Sequence, residues 1–277
     1  MRLATCRYQG EVFPALARDN GIALIDPASG DVASILSGGE IGPIVQTVAE
    51  NAVQFLPPIP APAKIICVGL NYRDHAQEAA AEPQVYPSLF PRFADSFVGH
   101  REPVVAPAVS RQFDYEGELA VVIGRRAWRI APTDAMAHVG GYACLAENSA
   151  RDFQFHSRQV TPGKNFFASG SIGPWLTTAD EVLDPATLEL TTRLNGEVVQ
   201  HASLADLIFD IPALVSYISQ FTPLSPGDMI ATGTPAGVGG ARKPPLWLKP
   251  GDVLEVEIPK VGNLVNPIVA DNAHPSS

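Results

Sequence analysis

The sequence is poor in cysteine, contains no long apolar run and has fewer basic than acidic residues. Its three cysteines (Cys6, Cys67 and Cys144) are odd in number and widely spaced, which fits neither a disulfide framework nor a zinc site. No stretch approaches the ~20 apolar residues of a membrane-spanning helix, and no apolar run typical of a signal peptide follows the first residues. The net charge of −10 argues against nucleic acid and anionic membranes as partners, because both require basic patches. We therefore expect a soluble, cytoplasmic protein.

Prolines and turn residues divide the chain into two predicted domains. Residues 1–56 contain short apolar runs broken by turn residues, which predict a small β-rich domain. Residues 57–63 include four prolines and are typical of an extended linker, since proline does not continue a helix. Residues 64–277 form the larger predicted domain, and the apolar content of the chain, 46%, is sufficient for a packed core.

An acidic pair stands at the start of an aliphatic run at residues 114–124. Because side chains alternate along a strand, Glu116 and Glu118 should point to the same side of it. Two like charges inside a core repel each other and are costly to desolvate, and a hard divalent cation such as Mg²⁺, Mn²⁺ or Ca²⁺ would relieve both effects. The alternative is a solvated strand start whose glutamates stay outside the core.

A second pair, His75 and Glu78, lies on a predicted short helix that follows a strand ending at Gly69. Residues three apart on a helix are neighbours, and a carboxylate beside an imidazole orients it and raises its basicity, as a general base requires. Two alternatives stay open. One is a surface pair that adds little stability, and the other is a zinc pair, for which no further ligands lie nearby in the sequence.

Three more segments carry polar groups that could contribute to a site. The apolar strand predicted at residues 139–146 ends at Glu147, and the turn at residues 161–167 contains Lys164. A lysine near carboxylates can hold a substrate carboxylate or stabilise an enolate, whereas elsewhere it is simply solvated. The glycine-rich loop at residues 232–239 could hold an anion, but it has no Walker or Rossmann pattern, so we expect no nucleotide site.

Taken together, six motifs resemble the fumarylacetoacetate hydrolase family. They are NYRDH (71–75), DYEGEL (114–119), ARDFQ (150–154), PGK (162–164), LNG (194–196) and ATGTPAGVG (231–239). The resemblance extends from about residue 64 to the C-terminus, and an ordered set of motifs is more specific than any one of them. The predicted N-terminal domain fits members of the family that carry a small extra domain.

The resemblance implies an α+β fold, mostly β, built as a mixed β-sheet roll that usually forms a homodimer and holds Mg²⁺ or Mn²⁺, with Ca²⁺ also possible. Glu116 and Glu118 match the paired metal ligands of the family. Glu147 stands where the family has an aspartate, and its additional methylene changes the reach of this third ligand.

The resemblance also implies the other residues of the site. His75 and Glu78 match the pair that activates water, and Lys164 matches the active-site lysine. Four further candidates for binding the substrate are Arg92, Arg151, Gln154 and Thr234. Arg92 is proposed because it lies in the segment 83–100, which we expect to line the pocket.

Members of this family act on 2-oxo acids. We therefore expect a metal-dependent hydrolase that cleaves a C–C bond of a 2,4-dioxo acid, of the acylpyruvate or fumarylpyruvate type, through a metal-bound enolate. The alternative is an isomerase or decarboxylase of a related 2-oxo acid such as 2-hydroxyhepta-2,4-diene-1,7-dioate or oxaloacetate. A third hypothesis is a non-catalytic, metal-free dimer. The glutamate at position 147, where the family has an aspartate, favours this last hypothesis. The presence of the other residues that match the family's site argues against it.

Overall fold

The computed structural model describes residues 1–79, 82 and 84–271. Residue 83 of the predicted pocket segment and residues 272–277 of the predicted second domain lie outside this range. The strands are β1 (Arg2–Tyr8), β2 (Glu11–Arg18), β3 (Gly21–Ile25), β4 (Ile44–Val48), β5 (Gln54–Leu56), β6 (Ile65–Gly69), β7 (Ser88–Pro91), β8 (Phe97–Val98), β9 (Val104–Ala106), β10 (Phe113–Asp114), β11 (Gly117–Ile123), β12 (Val139–Ala146), β13 (Ser149–Ala150), β14 (Gly170–Thr178), β15 (Glu189–Leu194), β16 (Glu197–Ser203), β17 (Met229–Ala231), β18 (Val253–Ile258) and β19 (Gly262–Ala270).

The α-helices are short: α1 (Val32–Leu36), α2 (Arg73–Glu78), α3 (Arg151–Gln154), α4 (Thr161–Lys164) and α5 (Ile211–Ser219). Single turns of 3₁₀-helix occur between strands, at Pro27–Ser29, Glu50–Ala52, Ala94–Ser96, Ala179–Glu181, Pro185–Thr187, Leu204–Asp206 and Gly239–Ala241, with a longer one at Pro132–His138. Within the described ranges no helix has the length and apolar character needed to cross a membrane.

The strands form two main sheets. The larger has twelve strands, in the order β4-β3-β2-β1-β14-β12-β11-β17-β6-β7, with β5 beside β1 and β8 beside β14; the smaller has five, in the order β16-β15-β18-β19-β9. Most neighbours are antiparallel, but β17 pairs with β6, β8 with β14 and β9 with β19 in parallel. These mixed sheets confirm the expected α+β, mostly β, fold.

Strand β11 is buried on both faces, which explains its continuous aliphatic sequence. Leu119, Val121 and Ile123 pack into a core that also contains residues of α5 and of the five-stranded sheet. Ala120 and Val122 point the other way, into a second core shared with β6 and β12. Polar side chains at the start of this strand therefore lie at the edge of the core.

Two local structures follow directly from their short-range sequence. Asn195 and Gly196 have φ of 54° and 85°, as a type I′ turn requires, and they join β15 to β16. Helix α5 begins after Asp210, whose side chain accepts a hydrogen bond of 2.8 Å from the Ala213 N–H, and its apolar side faces the core.

The N-terminal segment is rich in strands. It joins the large sheet through β1, where Arg2 pairs with Thr177 and Leu3 with Leu176 of β14. Part of its apolar surface forms a cluster of its own, which includes Phe13, but Leu3 packs in the core shared with β6. Residues 57–64 have no regular secondary structure. The division at residues 57–63 into two domains stays a prediction.

Candidate active site

The pairing of β11 with β12 brings the three acidic residues together. Gly117 lies opposite Ala146, so Glu116 faces Glu147, whose N–H donates a 2.8 Å hydrogen bond to the Glu116 carbonyl. Glu118 is two residues further and points to the same face. One carboxylate oxygen from each residue lies within 4.8 Å of the other two. The side chains are 5%, 1% and 1% exposed, which excludes a solvated strand start.

Buried cations balance these carboxylates. Lys164, at the end of α4, donates from Nζ to Oε1 of Glu116 at 2.9 Å and also to Oε2 of Glu147. Nη1 of Arg151 lies 3.1 Å from Oε1 of Glu116, and Nη1 of Arg92 donates to Oε1 of Glu147 at 2.9 Å. A buried charge without a partner is strongly destabilising, so these contacts are what allow the acidic residues to remain in the interior.

The pKa values reflect this balance. Burial alone would raise the pKa of Glu116, but Arg151 and Lys164 outweigh burial and lower it to about 2. Burial, reinforced by the charges of Glu147 and Glu116, raises the pKa of Glu118 well above its usual range. Burial also raises the pKa of Glu147, although Lys164 opposes the change. The cluster therefore has excess negative potential at Glu118, which a cation would relieve.

A loop after β17 fixes Glu118. The Gly233 N–H donates a 2.7 Å hydrogen bond to Oε2 of Glu118. Gly233 has φ of 103°, and a Cβ there would lie 2.8 Å from Cβ of Asn71, so glycine is required for two reasons. Thr234 then donates from Oγ1 to the Gly117 carbonyl at 2.9 Å, which ties the loop to the start of β11.

His75 and Glu78 lie on α2, as predicted. Nδ1 of His75 is 3.1 Å from Oε2 of Glu78, and the Gly237 N–H donates to both Glu78 carboxylate oxygens at 3.1 and 3.3 Å. No described residue hydrogen-bonds to Nε2 of His75. An ionised Glu78 favours the tautomer with the proton on Nδ1, and Nε2 is then free to accept a proton.

These residues surround a cavity of about 490 Å³, a volume that suits a small-molecule ligand. Seven of the predicted residues line it: His75, Glu116, Glu147, Arg151, Gln154, Lys164 and Thr234. Residues that were not predicted also contribute, among them Leu70, Arg158 and Thr161, and Phe90 lines it as expected from its segment.

Three predicted residues are not part of this lining. Glu118 belongs to the acidic cluster and Glu78 contacts His75, but neither side chain lines the cavity. Arg92 is 3% exposed and directs its guanidinium to Glu147 and to other protein acceptors. This position favours a role in supporting the acidic cluster over a direct contact with the substrate.

Four supporting residues were not identified from the sequence. Ser149 donates to Oε1 of Glu116, and Asp114 accepts from Nε of Arg151 at 2.9 Å. The side chain of Asn71 holds the backbone of Thr232 and Phe209, and Gln200 donates to Oγ1 of Thr234 at 2.8 Å. Asn71 and Asp114 belong to recognisable motifs and could have been singled out. Nothing in the local sequence distinguishes Gln200.

The donor set at the acidic cluster fits a hard divalent cation. Its three side chains all offer carboxylate oxygen, which Mg²⁺, Mn²⁺ and Ca²⁺ prefer over nitrogen or sulfur. The longer Glu147 reaches the same cluster as the other two. The departure from aspartate at this position therefore does not remove the third carboxylate from the candidate metal site.

Residues 64–269 match the family model described as the C-terminal domain of fumarylacetoacetate (FAA) hydrolase. The chain belongs to the fumarylacetoacetate hydrolase family, as its motifs indicated. A human protein named oxaloacetate tautomerase FAHD2A, mitochondrial, is 44% identical over 221 residues, which cover 79% of this chain and 70% of the human protein.

Solved structures share the fold over nearly the whole chain. Fumarylacetoacetate hydrolase from Exiguobacterium antarcticum is 32% identical, with a TM-score of 0.87, and the alignment covers 98% of this chain and 99% of that one. A structure from Mycobacterium marinum, titled 2-hydroxyhepta-2,4-diene-1,7-dioate isomerase, is 32% identical with a TM-score of 0.78, over 99% of this chain and 100% of that one.

Proposed function

We propose that this protein is a divalent-metal-dependent enzyme that acts on a 2-oxo acid, with Glu116, Glu118 and Glu147 as metal ligands. One observation carries the proposal. Three buried carboxylates converge within 4.8 Å beside a cavity that His75 also lines. The cation is Mg²⁺ or Mn²⁺, with Ca²⁺ as the alternative.

The reaction we propose first is keto–enol tautomerisation of a 2-oxo diacid. Two similarities support it over the C–C hydrolysis expected from the sequence. The human relative at 44% identity is named an oxaloacetate tautomerase, and the M. marinum structure is titled an isomerase of an unsaturated diacid. Tautomerisation needs only a base and stabilisation of an enolate, and the described site offers groups for both.

The metal would act as a Lewis acid that draws electron density from the 2-oxo oxygen. Nε2 of His75 takes the proton from carbon 3 of the substrate, and the C–H electron pair becomes the double bond between carbons 2 and 3. The negative charge then rests on the 2-oxo oxygen until a proton is returned to it. Glu78 holds the imidazole in the tautomer that accepts the proton and stabilises the imidazolium that forms.

The cationic side of the cavity recognises the acid groups of the substrate. Nη2 of Arg151 is buried and has no hydrogen-bond partner among the described residues, while Nε and Nη1 are held by Asp114 and Gln154 at 2.9 Å each. This donor is therefore fixed in place and available for a substrate oxygen. Lys164 adds a second positive charge on the same wall, and exposed Arg158 adds a third.

C–C hydrolysis of a 2,4-dioxo acid is the second candidate, and the His75–Glu78 pair favours it. His75 would take a proton from water, and the resulting hydroxide would attack the carbonyl at carbon 4. The bond between carbons 3 and 4 then breaks, the enolate of the 2-oxo acid leaves, and a proton is added at carbon 3. The same imidazole serves both reactions, but only hydrolysis requires a bound water.

Loss of the His75 imidazole tests this function. We expect His75→Ala to lose at least about two orders of magnitude in the rate of enol formation from oxaloacetate, followed by ultraviolet absorbance with Mg²⁺. Gln77→Ala, an exposed change on the same helix, is the matched control and should keep the full rate. Parallel assays with acylpyruvates show whether the protein catalyses C–C hydrolysis, the second candidate reaction. Wild-type protein that converts neither class of substrate with Mg²⁺ or Mn²⁺ contradicts the proposal.

We also propose, from the family resemblance, that the protein forms a homodimer and is located in the cytoplasm. The human relative is named as mitochondrial, and this name applies to that protein. Sedimentation of the purified protein measures the first property, and localisation of a tagged chain in its own host measures the second. A monomer at micromolar concentration, or a tagged chain outside the cytoplasm, contradicts the corresponding part.

A further inference from the structure

Arg92 is buried in a setting that fixes its guanidinium group. Nε donates to Oγ of Ser96 at 3.1 Å, and Nη2 donates to Oγ of Ser169 at 3.0 Å. The guanidinium carbon lies 4.3 Å from the centre of the Phe97 ring. Because the donors on Nε and Nη2 are held by separate parts of the chain, rotation of this side chain would break several hydrogen bonds at once.

The remaining nitrogen of Arg92 is directed at Glu147. Nη1 donates to Oε1 of Glu147 at 2.9 Å and to the Asn148 carbonyl at 3.2 Å. The contact is fully buried and joins opposite charges, which makes it stronger than a neutral hydrogen bond. Oε1 of Glu147 is thus engaged by Arg92, and Oε2 is in contact with Nζ of the buried Lys164.

In each of the other two carboxylates, one oxygen accepts hydrogen bonds and the other has no donor among the described residues. Oε1 of Glu116 accepts hydrogen bonds from Ser149 and Lys164, and Oε2 of Glu118 accepts one from the Gly233 N–H. Within the described part of the chain, no donor contacts Oε2 of Glu116 or Oε1 of Glu118. Each carboxylate therefore has one oxygen engaged by fixed donors, and its other oxygen has no described donor in Glu116 and Glu118 and only Lys164 in Glu147.

We propose that Arg92 is a positioning residue that limits Glu147 to one metal-binding oxygen, and that the site thereby selects Mg²⁺ over Ca²⁺. Ca²⁺ takes roughly six to eight oxygens and commonly uses both oxygens of a carboxylate, whereas Mg²⁺ is octahedral and is bound by single oxygens. A site in which one oxygen of each carboxylate is hydrogen-bonded to the protein therefore suits Mg²⁺, which needs only one oxygen from each carboxylate. This inference rests on the proposed metal site.

Calorimetric titration of the metal-free protein with Mg²⁺ and with Ca²⁺ provides the test. Wild-type protein should bind Mg²⁺ at least as tightly as Ca²⁺. In Arg92→Gln, Oε1 of Glu147 loses its arginine donor and becomes available as a second metal-binding oxygen, and the ratio of Ca²⁺ to Mg²⁺ affinity should rise by at least about tenfold. The ratio separates this effect from the general gain in affinity that follows loss of a positive charge.

Two further variants keep the test decisive. Arg193→Gln removes an arginine–glutamate pair, with Glu257 at 2.6 Å, and should leave the ratio unchanged. If Arg92→Gln does not fold, as judged by circular dichroism, Arg92→Lys replaces it, and the smaller ammonium should raise the ratio by at least about threefold. Wild-type protein that prefers Ca²⁺, or an unchanged ratio in a folded Arg92 variant, overturns the inference. Wild-type protein that binds neither ion overturns the metal site itself.

Discussion

Nζ of Lys164 lies 2.9 Å from Oε1 of Glu116, inside the acidic cluster that we propose as a metal site. The same ammonium contacts Glu147, so one lysine bridges two proposed metal ligands. Without such a cation these buried carboxylates would repel each other. A bound divalent ion would provide the same compensation, and Lys164 and the metal therefore compete for Oε2 of Glu147.

This competition predicts opposite effects of one substitution. Lys164→Met should lower the free energy of unfolding of the metal-free protein by about 3 kcal/mol, because it leaves buried carboxylates without a partner. It should tighten Mg²⁺ binding by about tenfold, equivalent to about 1.4 kcal/mol, because a competitor is removed. Urea denaturation and calorimetry measure the two effects. Weaker Mg²⁺ binding in a folded Lys164→Met protein would show that the lysine supports the ion instead of competing with it.

At the start of β11, Gly117 packs so closely against β15 of the other sheet that a larger side chain would clash. A Cβ on Gly117 would lie 2.0 Å from Oγ1 of Thr192, which is fully buried on β15. Gly117→Ala should therefore destabilise the protein by about 1–3 kcal/mol. Removing the opposing hydroxyl in Gly117→Ala/Thr192→Ala should restore part of the loss in thermal unfolding experiments. Equal stability of the single and double variants argues against this contact as the cause.

Protonation of His100 should lower the free energy of unfolding in acid. Its Nδ1 accepts a 3.1 Å hydrogen bond from the Val265 N–H, so the folded protein requires it to be unprotonated at this atom. Burial, with Arg101 nearby, lowers the pKa of His100 from 6.5 to about 4. Between these values the unfolded chain binds a proton that the folded chain does not. The free energy of unfolding should consequently decrease as the pH falls from 6.5 towards 4, and this contribution should level off below 4.

Comparison with His100→Gln, which cannot titrate, isolates this contribution. Urea denaturation at about pH 7 and about pH 4.5 should show a larger loss of stability in the wild type than in the variant. The same dependence on pH in both proteins would rule out His100 as a source of acid sensitivity.

The sequence was sufficient to predict which side chains lie together when the residues are close in the chain. Alternation placed Glu116 and Glu118 on one face, and helical spacing paired His75 with Glu78. The family motifs supplied Glu147. These predictions depend on residues close together in the chain, and the geometry of strands and helices determines their relation.

The contacts that support the site join distant segments and could not be predicted in this way. Arg92 reaches Glu147 across 55 positions, and Gln200 reaches Thr234 across 34. Likewise, the pairing of Arg2 with Thr177, which joins β1 to β14, depends on the register of the whole sheet. A polar residue in a predicted loop or strand gives no local sign that it is buried, because burial is decided by the elements that pack over it.

The most direct test of this account is calorimetric titration of Mg²⁺ into wild-type protein and into Glu116→Gln/Glu118→Gln. The wild type should bind the ion. The variant, shown to be folded by circular dichroism, should lose at least about two orders of magnitude in affinity, because two of the three converging carboxylates are replaced by neutral amides. Retention of wild-type affinity in the folded variant would contradict the assignment of Glu116, Glu118 and Glu147 as the metal site.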